Sequence, residues 1–250
     1  MEKPLRGKVA LVTGAGRNIG RAIAHMLAED GAAVIVNGRA DTAALDQVAG
    51  EIAARGGRAL AARADVSKPD EVARMVADGV GHFGGLDIVV SNAGLRRQTA
   101  FLDMALDEWR EILSVALDGA FILAKAAVPH LIARGGGAFV ALSGVSTHLG
   151  MPNRCHVSAS KAGLEGLIRS LAVELAPHRI TCNCISPGSV DTARGASAGA
   201  RPPGLGDAGI PLGRKATVEE IAALVRHLAG PYGGYITGQT LHVNGGAFLT

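Results

Sequence analysis

The chain has 250 residues, 48% of them hydrophobic and 19% charged, enough to bury the core of one large domain. Its net charge of +3 is spread without a block of like charges, which points away from nucleic acid and anionic membranes as partners. Residues 1–7 lack the apolar core of a secretion signal, and no run of about 18 apolar residues is evident to span a bilayer, so a cytoplasmic location is expected.

Strand-like apolar runs alternate with longer helical patterns throughout, the signature of a parallel sheet covered on both faces. The strands are predicted at Val9 to Thr13, Ala33 to Asn37, Ala59 to Ala64, Ile88 to Asn92, Ala138 to Ser143, Ile180 to Ile185 and Thr240 to Val243. Helices are predicted to begin near Ile19, Thr42, Pro69, Asp107, Val157 and Thr217, several behind an Asp, Ser or Thr in a capping position. The expected fold is therefore α/β: a doubly wound, Rossmann-type sheet of seven parallel strands in a single domain over 1–250. A Gly, Ala and Pro-rich stretch of weak periodicity, about 189–214, is expected to form a mobile lid over the substrate.

The first strand runs through Thr13-Gly14-Ala15-Gly16-Arg17-Asn18-Ile19-Gly20 straight into an amphipathic helix. Glycines in such a turn let the backbone approach a pyrophosphate, and the free amides of the helix N-terminus face its charge. The second strand ends Asn37-Gly38-Arg39, with no acid before Asp41. An acid there would take the adenine ribose hydroxyls and repel a 2'-phosphate, whereas Arg39 and Arg17 can meet one. NADP(H) is favoured over NAD(H).

Further along stand Asp65-Val66, Ser91-Asn92-Ala93-Gly94, Ser158-Ala159-Ser160-Lys161, Pro187-Gly188-Ser189-Val190-Asp191-Thr192, Thr237-Gly238-Gln239 and Asn244-Gly245-Gly246. With the glycine turn, these make the chain resemble the short-chain dehydrogenase/reductase family over nearly its whole length. The resemblance implies cofactor contacts from Gly14, Gly16, Arg17, Asn18, Ile19, Gly38, Arg39, Asp65, Val66, Asn92, Ala93, Gly94, Lys161, Pro187, Gly188, Val190 and Thr192. It also implies a homotetramer or homodimer, or assembly with an active relative, and hydride exchange with a carbonyl or alcohol substrate.

The family's proton chemistry belongs to a tyrosine four residues before a lysine, with a serine and an asparagine. Counting back from Lys161 gives Val157, whose isopropyl group carries no proton to exchange. The serine position falls on Gly144, and the asparagine position, seven residues after Trp109, on Ala116. The chain's two tyrosines, Tyr232 and Tyr235, lie far off near the C-terminus. Lys161 thus remains, with Ser143 beside the serine position and His148 in the adjoining loop as candidate catalytic groups. Three readings stay open: an oxidoreductase with a non-standard proton donor, an inactive NADP(H)-binding subunit or sensor, and a lyase or isomerase using His148 or His156. Cys155, Cys182 and Cys184 read as small core residues, and the eight histidines show no metal-ligand spacing.

Overall fold

In the computed structural model, which describes residues 3–193 and 209–250, the apolar runs become strands because helices cover them on both sides. The strands are β1 (Val9–Val12), β2 (Ala33–Gly38), β3 (Arg58–Arg63), β4 (Ile88–Ser91), β5 (Gly137–Leu142), β6 (Ile180–Pro187) and β7 (Thr240–Val243). Among the described residues these form one parallel sheet in the order β3-β2-β1-β4-β5-β6-β7. Strands with two covered faces need no polar alternation, and Val9 to Val12 is buried at every position.

The helices are α1 (Asn18–Glu29), α2 (Thr42–Ala54), α3 (Pro69–Phe83), α4 (Leu106–Leu113), α5 (Gly119–Ala133), α6 (Ser146–Leu149), α7 (Cys155–Leu175) and α8 (Val218–Ala229). One core layer joins Ile23 and Leu27 of α1, Val48 and Ile52 of α2, and Ile221 and Val225 of α8 to the sheet. The other joins Val72 and Val76 of α3, Leu123 and Leu131 of α5, and Leu164 and Ile168 of α7. Removing any of these from water contributes on the order of 2 kcal/mol per side chain.

Two expectations change. The pattern predicted from Asp107 is one continuous helix, but Ser114–Asp118 is a π-helical turn between α4 and α5, and it holds Ala116. The span Leu106–Ala133 is also long and apolar enough to cross a membrane, contrary to the reading from sequence. Its apolarity is used inwardly: Ala120, Leu123, Ala124, Ala127 and Leu131 pack into the sheet's second core layer. Of the predicted lid, residues 194–208 lie outside the described residues. Cys182 and Cys184 are buried in strand β6, where desolvation pushes their thiols up to about 12.

Candidate functional site

Strand order reverses between β1 and β4, and a cleft opens at the carboxyl ends of the strands there, where doubly wound sheets bind their ligands. The cleft encloses about 390 Å³. Its walls come from the turn after β1, the Asn92 to Arg96 segment after β4, the Leu142 to Ser146 segment after β5, the start of α7, and Pro187 to Ala193 after β6.

The turn after β1 is held from the neighbouring strand. Thr13, wholly buried, accepts hydrogen bonds at Oγ1 from the amides of Asn92 (3.0 Å) and Ala93 (3.1 Å). Asn92 Nδ2 donates in return to the carbonyls of Thr13 (2.9 Å) and Gly14 (3.1 Å). Gly14 sits at φ +63°, and a Cβ on it would press Asn92 Nδ2 and Ala93. A Cβ on Gly20 would overlap Gly14 O and Asn92 Nδ2 outright. The cradle is therefore shaped by what the two glycines omit. Beyond it, α1 begins with no side-chain cap and no acid in its first turn, so its amides and the positive end of its dipole stand open to the cleft. This is the donor set a pyrophosphate requires.

Asn18 is the first residue of α1. It adopts φ +51°, a left-handed conformation asparagine tolerates better than most residues. Its side chain makes a reciprocal pair with Ala193 across the cleft: Nδ2 donates to Ala193 O (3.0 Å) and Oδ1 accepts from Ala193 N (3.1 Å).

Gly14, Arg17, Asn18, Ile19, Asn92, Ala93, Gly94, Lys161, Pro187, Gly188, Val190 and Thr192 all line the cleft. Gly16, Gly38, Arg39, Asp65 and Val66 do not. Gly16 faces α2, where a Cβ would touch Ala44 and Leu45. Gly38, Arg39, Asp65 and Val66 lie at and beyond the ends of β2 and β3, on the side of the turn where an adenosine would extend. Arg39, half exposed, leans on Asp65 at 3.6 Å. Val66 is buried, its Cγ2 filling the space a Cβ on Gly119 would need.

At the other end of the cleft, Lys161 Nζ donates to the Leu142 carbonyl at 2.5 Å and lies beside Gly94. Burial, together with the nearby charge of Arg96, lowers the Lys161 ammonium to about 8. Val157, one turn earlier on α7, forms cleft wall with Gly144. Ala116 is buried in the π-helical turn and does not reach the cleft. A Cβ on Gly144 would meet only Ser146 Oγ, at 3.9 Å, so the wall there is open.

The two other candidate catalytic groups are turned to a different task. Ser143 contributes to the cleft wall, but its Oγ donates at 2.5 Å to Glu165, a carboxylate only 4% exposed. Thr147 Oγ1 donates to the same oxygen at 3.2 Å, and His148 Nε2 stands 3.3 Å from it. The His148 ring is stacked on Phe248 and set edge-on to His242, outside the cleft lining. Alternation along a strand accounts for this: Ser143 continues β5, and its side chain follows the face that meets α7. His156 is fully buried, with Nε2 3.2 Å from Glu108. A lyase or isomerase reading built on His148 or His156 therefore finds neither imidazole in the cleft wall.

Sequence reading passed over several wall residues: Leu95, Arg96, Met151, Ser189 and Lys215. Arg96, next to Gly94-Leu95, was findable as a cation immediately downstream of a recognised turn. Among the described residues, no group of three or more His, Cys, Asp or Glu is placed to hold a metal ion.

A family model described as "Enoyl-(Acyl carrier protein) reductase" matches residues 14–247. The chain is 38% identical over 246 residues to a 3-oxoacyl-(acyl-carrier-protein) reductase of Synechocystis sp., covering 98% of each. It is 39% identical over 244 residues to the protein of that name from Staphylococcus aureus, covering 97% of this chain and 98% of the other. Among solved structures, a short-chain type dehydrogenase/reductase from Mycobacterium marinum aligns with TM-score 0.92 at 38% identity, covering 100% of this chain and 98% of that one. A short-chain dehydrogenase from Burkholderia cenocepacia, in complex with NADP, aligns with TM-score 0.89 at 37% identity, covering 98% and 99%.

Proposed function

The chain belongs to the short-chain dehydrogenase/reductase family, and from that we propose that it is an NADP(H)-dependent oxidoreductase interconverting a carbonyl and its alcohol, with Lys161 as the group that handles the proton. The observation that carries this reading is the position of Lys161: its Nζ faces the cleft one turn beyond Val157, with its ammonium lowered to about 8. A general acid works best when its pKa lies near the operating pH.

The residues fit the cofactor. Gly14, the amides at the start of α1 and Arg17 would hold the pyrophosphate, and Arg39 would meet the 2'-phosphate, with no carboxylate on β2 to oppose it. When bound, NADPH supplies the hydride. The chain does the rest. Thr13 and Asn92 hold the turn, Val157 and Met151 give the cleft wall its apolar side chains there, and Lys161 donates a proton to the carbonyl oxygen. The neutral amine so formed regains its proton from solvent, and in the oxidative direction it takes the proton from the alcohol. The Ser143 hydroxyl, held by Glu165, contributes to the wall and not to this transfer.

Val157, Gly144 and Ala116 favour one second reading, a subunit or sensor that binds NADP(H) without turning it over. The test is NADPH binding by fluorescence or calorimetry, followed by NADPH oxidation across aldehydes, ketones and acyl thioesters. Turnover with kcat/KM for reduction falling as pH rises through about 8 is expected, since the donor must be protonated. Tight binding with no turnover on any substrate selects the sensor reading, and a flat profile through that pH removes Lys161 as donor. A cytoplasmic setting suits the three free thiols. A homodimer or homotetramer would cover Phe121 and Ile132 on α5 and Val173 on α7, which are exposed in the single chain.

A further inference from the structure

The chain's lysines are placed very differently. Lys3, Lys8, Lys68 and Lys125 are exposed, and Lys8 is paired with Asp87 at 3.1 Å. Lys215 lines the cleft on the β6 side, next to Ala216, which pairs with Val190. Lys161 rises from α7 to the carboxyl ends of β4 and β5, where its Nζ donates to the Leu142 carbonyl at 2.5 Å and lies beside Gly94. Among the described residues no carboxylate is paired with it. Glu165, one turn further along α7, is turned to Ser143, Thr147 and His148 instead.

An amine attacks carbon only when it is neutral, and lost water and a neighbouring positive charge both favour the neutral form. Lys161 has both: burial first, then the charge of Arg96 from the segment after β4, bring its ammonium down to about 8. Cys184 on β6 also faces it, but that thiol is pushed up to about 12 and stays neutral through the same range. With one N–H turned to Leu142, a neutral Nζ keeps its lone pair for the cleft. The wall around it is apolar at Leu95, Met151 and Val157, and at Gly144 it has no side chain, since a Cβ there would meet only Ser146 Oγ at 3.9 Å. A small carbonyl compound therefore has room beside the amine.

We propose that Lys161 is also a nucleophile, and that it captures small uncharged aldehydes and ketones as an imine on its Nζ. The nitrogen lone pair adds to the carbonyl carbon while the oxygen takes a proton. The resulting hydroxyl, protonated from solvent, leaves as water, and the C=N bond forms. The protonated imine draws in the electron pair of a neighbouring C–H bond as water takes that proton. Solvent then returns a proton to the carbon, and water adds to the C=N bond to release the carbonyl compound and the amine. Nothing is oxidised or reduced; the net result is exchange of an α-hydrogen with solvent. The inference goes beyond the hydride reaction, for it uses neither hydride nor nucleotide. The two roles belong to the two protonation states of one nitrogen: the ammonium donates, the amine attacks.

The test treats the full chain, without nucleotide, with butanal or butanone and sodium cyanoborohydride, which reduces an imine to a stable secondary amine, and maps the alkylated lysines by peptide mass. Lys161 is expected to be labelled about tenfold or more above each of Lys3, Lys8, Lys68 and Lys125, whose amines are exposed. Its labelling should rise as pH rises through about 8, opposite to the fall expected for reduction, because the neutral form is the one that reacts. In heavy water, the α-hydrogens of butanone should exchange about tenfold faster with the native chain than with Lys161→Arg, which keeps the charge but supplies no nucleophile. Labelling of Lys161 no greater than that of the exposed lysines overturns the inference, and so does exchange that a folded Lys161→Arg leaves unchanged. The labelling is read on the unsubstituted chain, so it decides even if the variant fails to fold. Selective labelling without NADPH oxidation on any substrate supports the imine and removes the oxidoreductase reading; NADPH oxidation without selective labelling does the reverse.

Discussion

The two ends of one cleft are built on opposite plans. At the turn after β1, nearly every polar atom that shapes the cradle has a partner: Thr13 and Asn92 exchange hydrogen bonds across β1 and β4, and glycines stand where any Cβ would intrude. At the start of α7 the wall is Val157 and Gly144, with Arg154 and Lys161 beside them, and Ala116 is buried away from it. A ligand that is held needs many fixed donors, whereas a reacting group needs one titratable atom in the right place. Val157, Gly144 and Ala116 can therefore be changed without disturbing the cradle, because the two ends share almost no hydrogen bonds.

Four changes would break or sharpen that contrast, beginning with the largest. Gly20→Val should abolish NADPH binding and cost several kcal/mol of stability, since the new side chain overlaps Gly14 O and Asn92 Nδ2; thermal unfolding and calorimetry would register both losses. Survival of binding would mean the cradle is softer than its contacts imply. Next, Val157→Tyr with Gly144→Ser should raise the reduction rate by about 100-fold or more while leaving NADPH affinity within about threefold. The serine fits because its Cβ meets nothing closer than 3.9 Å. If affinity collapsed instead, the two ends would be coupled after all.

Thr13→Val removes a buried hydroxyl that serves two amides and should cost about 2 kcal/mol, measured by denaturant unfolding, together with weaker nucleotide binding. The smallest effect is expected from Arg39→Ala, which should lower the preference for NADPH over NADH by about tenfold and leave NADH binding unchanged. A preference that persists would assign the 2'-phosphate to Arg17. The Arg39 pair with Asp65 is half exposed and holds little stability of its own, so a large loss of stability would be unexpected.

The fold was legible because its signals are local and repeated. β7 runs over the predicted residues, and the other strands fall within about two residues of their predicted ends, as the alternation of apolar run and helix requires. The π-helical turn was not legible, since one extra residue in a helical repeat leaves the apolar pattern of Leu106 to Ala133 intact. Gly14, Asn92 and Lys161 could be placed in the cleft from their motifs alone. Ser143 and His148 could not be assigned from position, because their direction depends on Glu165, one turn past Lys161 and silent in the sequence until α7 is laid against β5. Arg96 and Arg154 belong to no motif, and only the folded chain puts them in one wall.

The paired hydrogen bonds between Asn18 and Ala193 bear on time more than on affinity. They tie the turn after β1 to the segment after β6, so a dinucleotide that enters or leaves between those walls does so while the tie is undone. Two solvent-facing hydrogen bonds amount to about 1 kcal/mol together, about fivefold in a rate. With glycine at position 18 the tie would not exist and exchange would be that much quicker. The asparagine would thus make a bound dinucleotide linger at the doorway, a matter of residence time and not of how tightly the cradle grips.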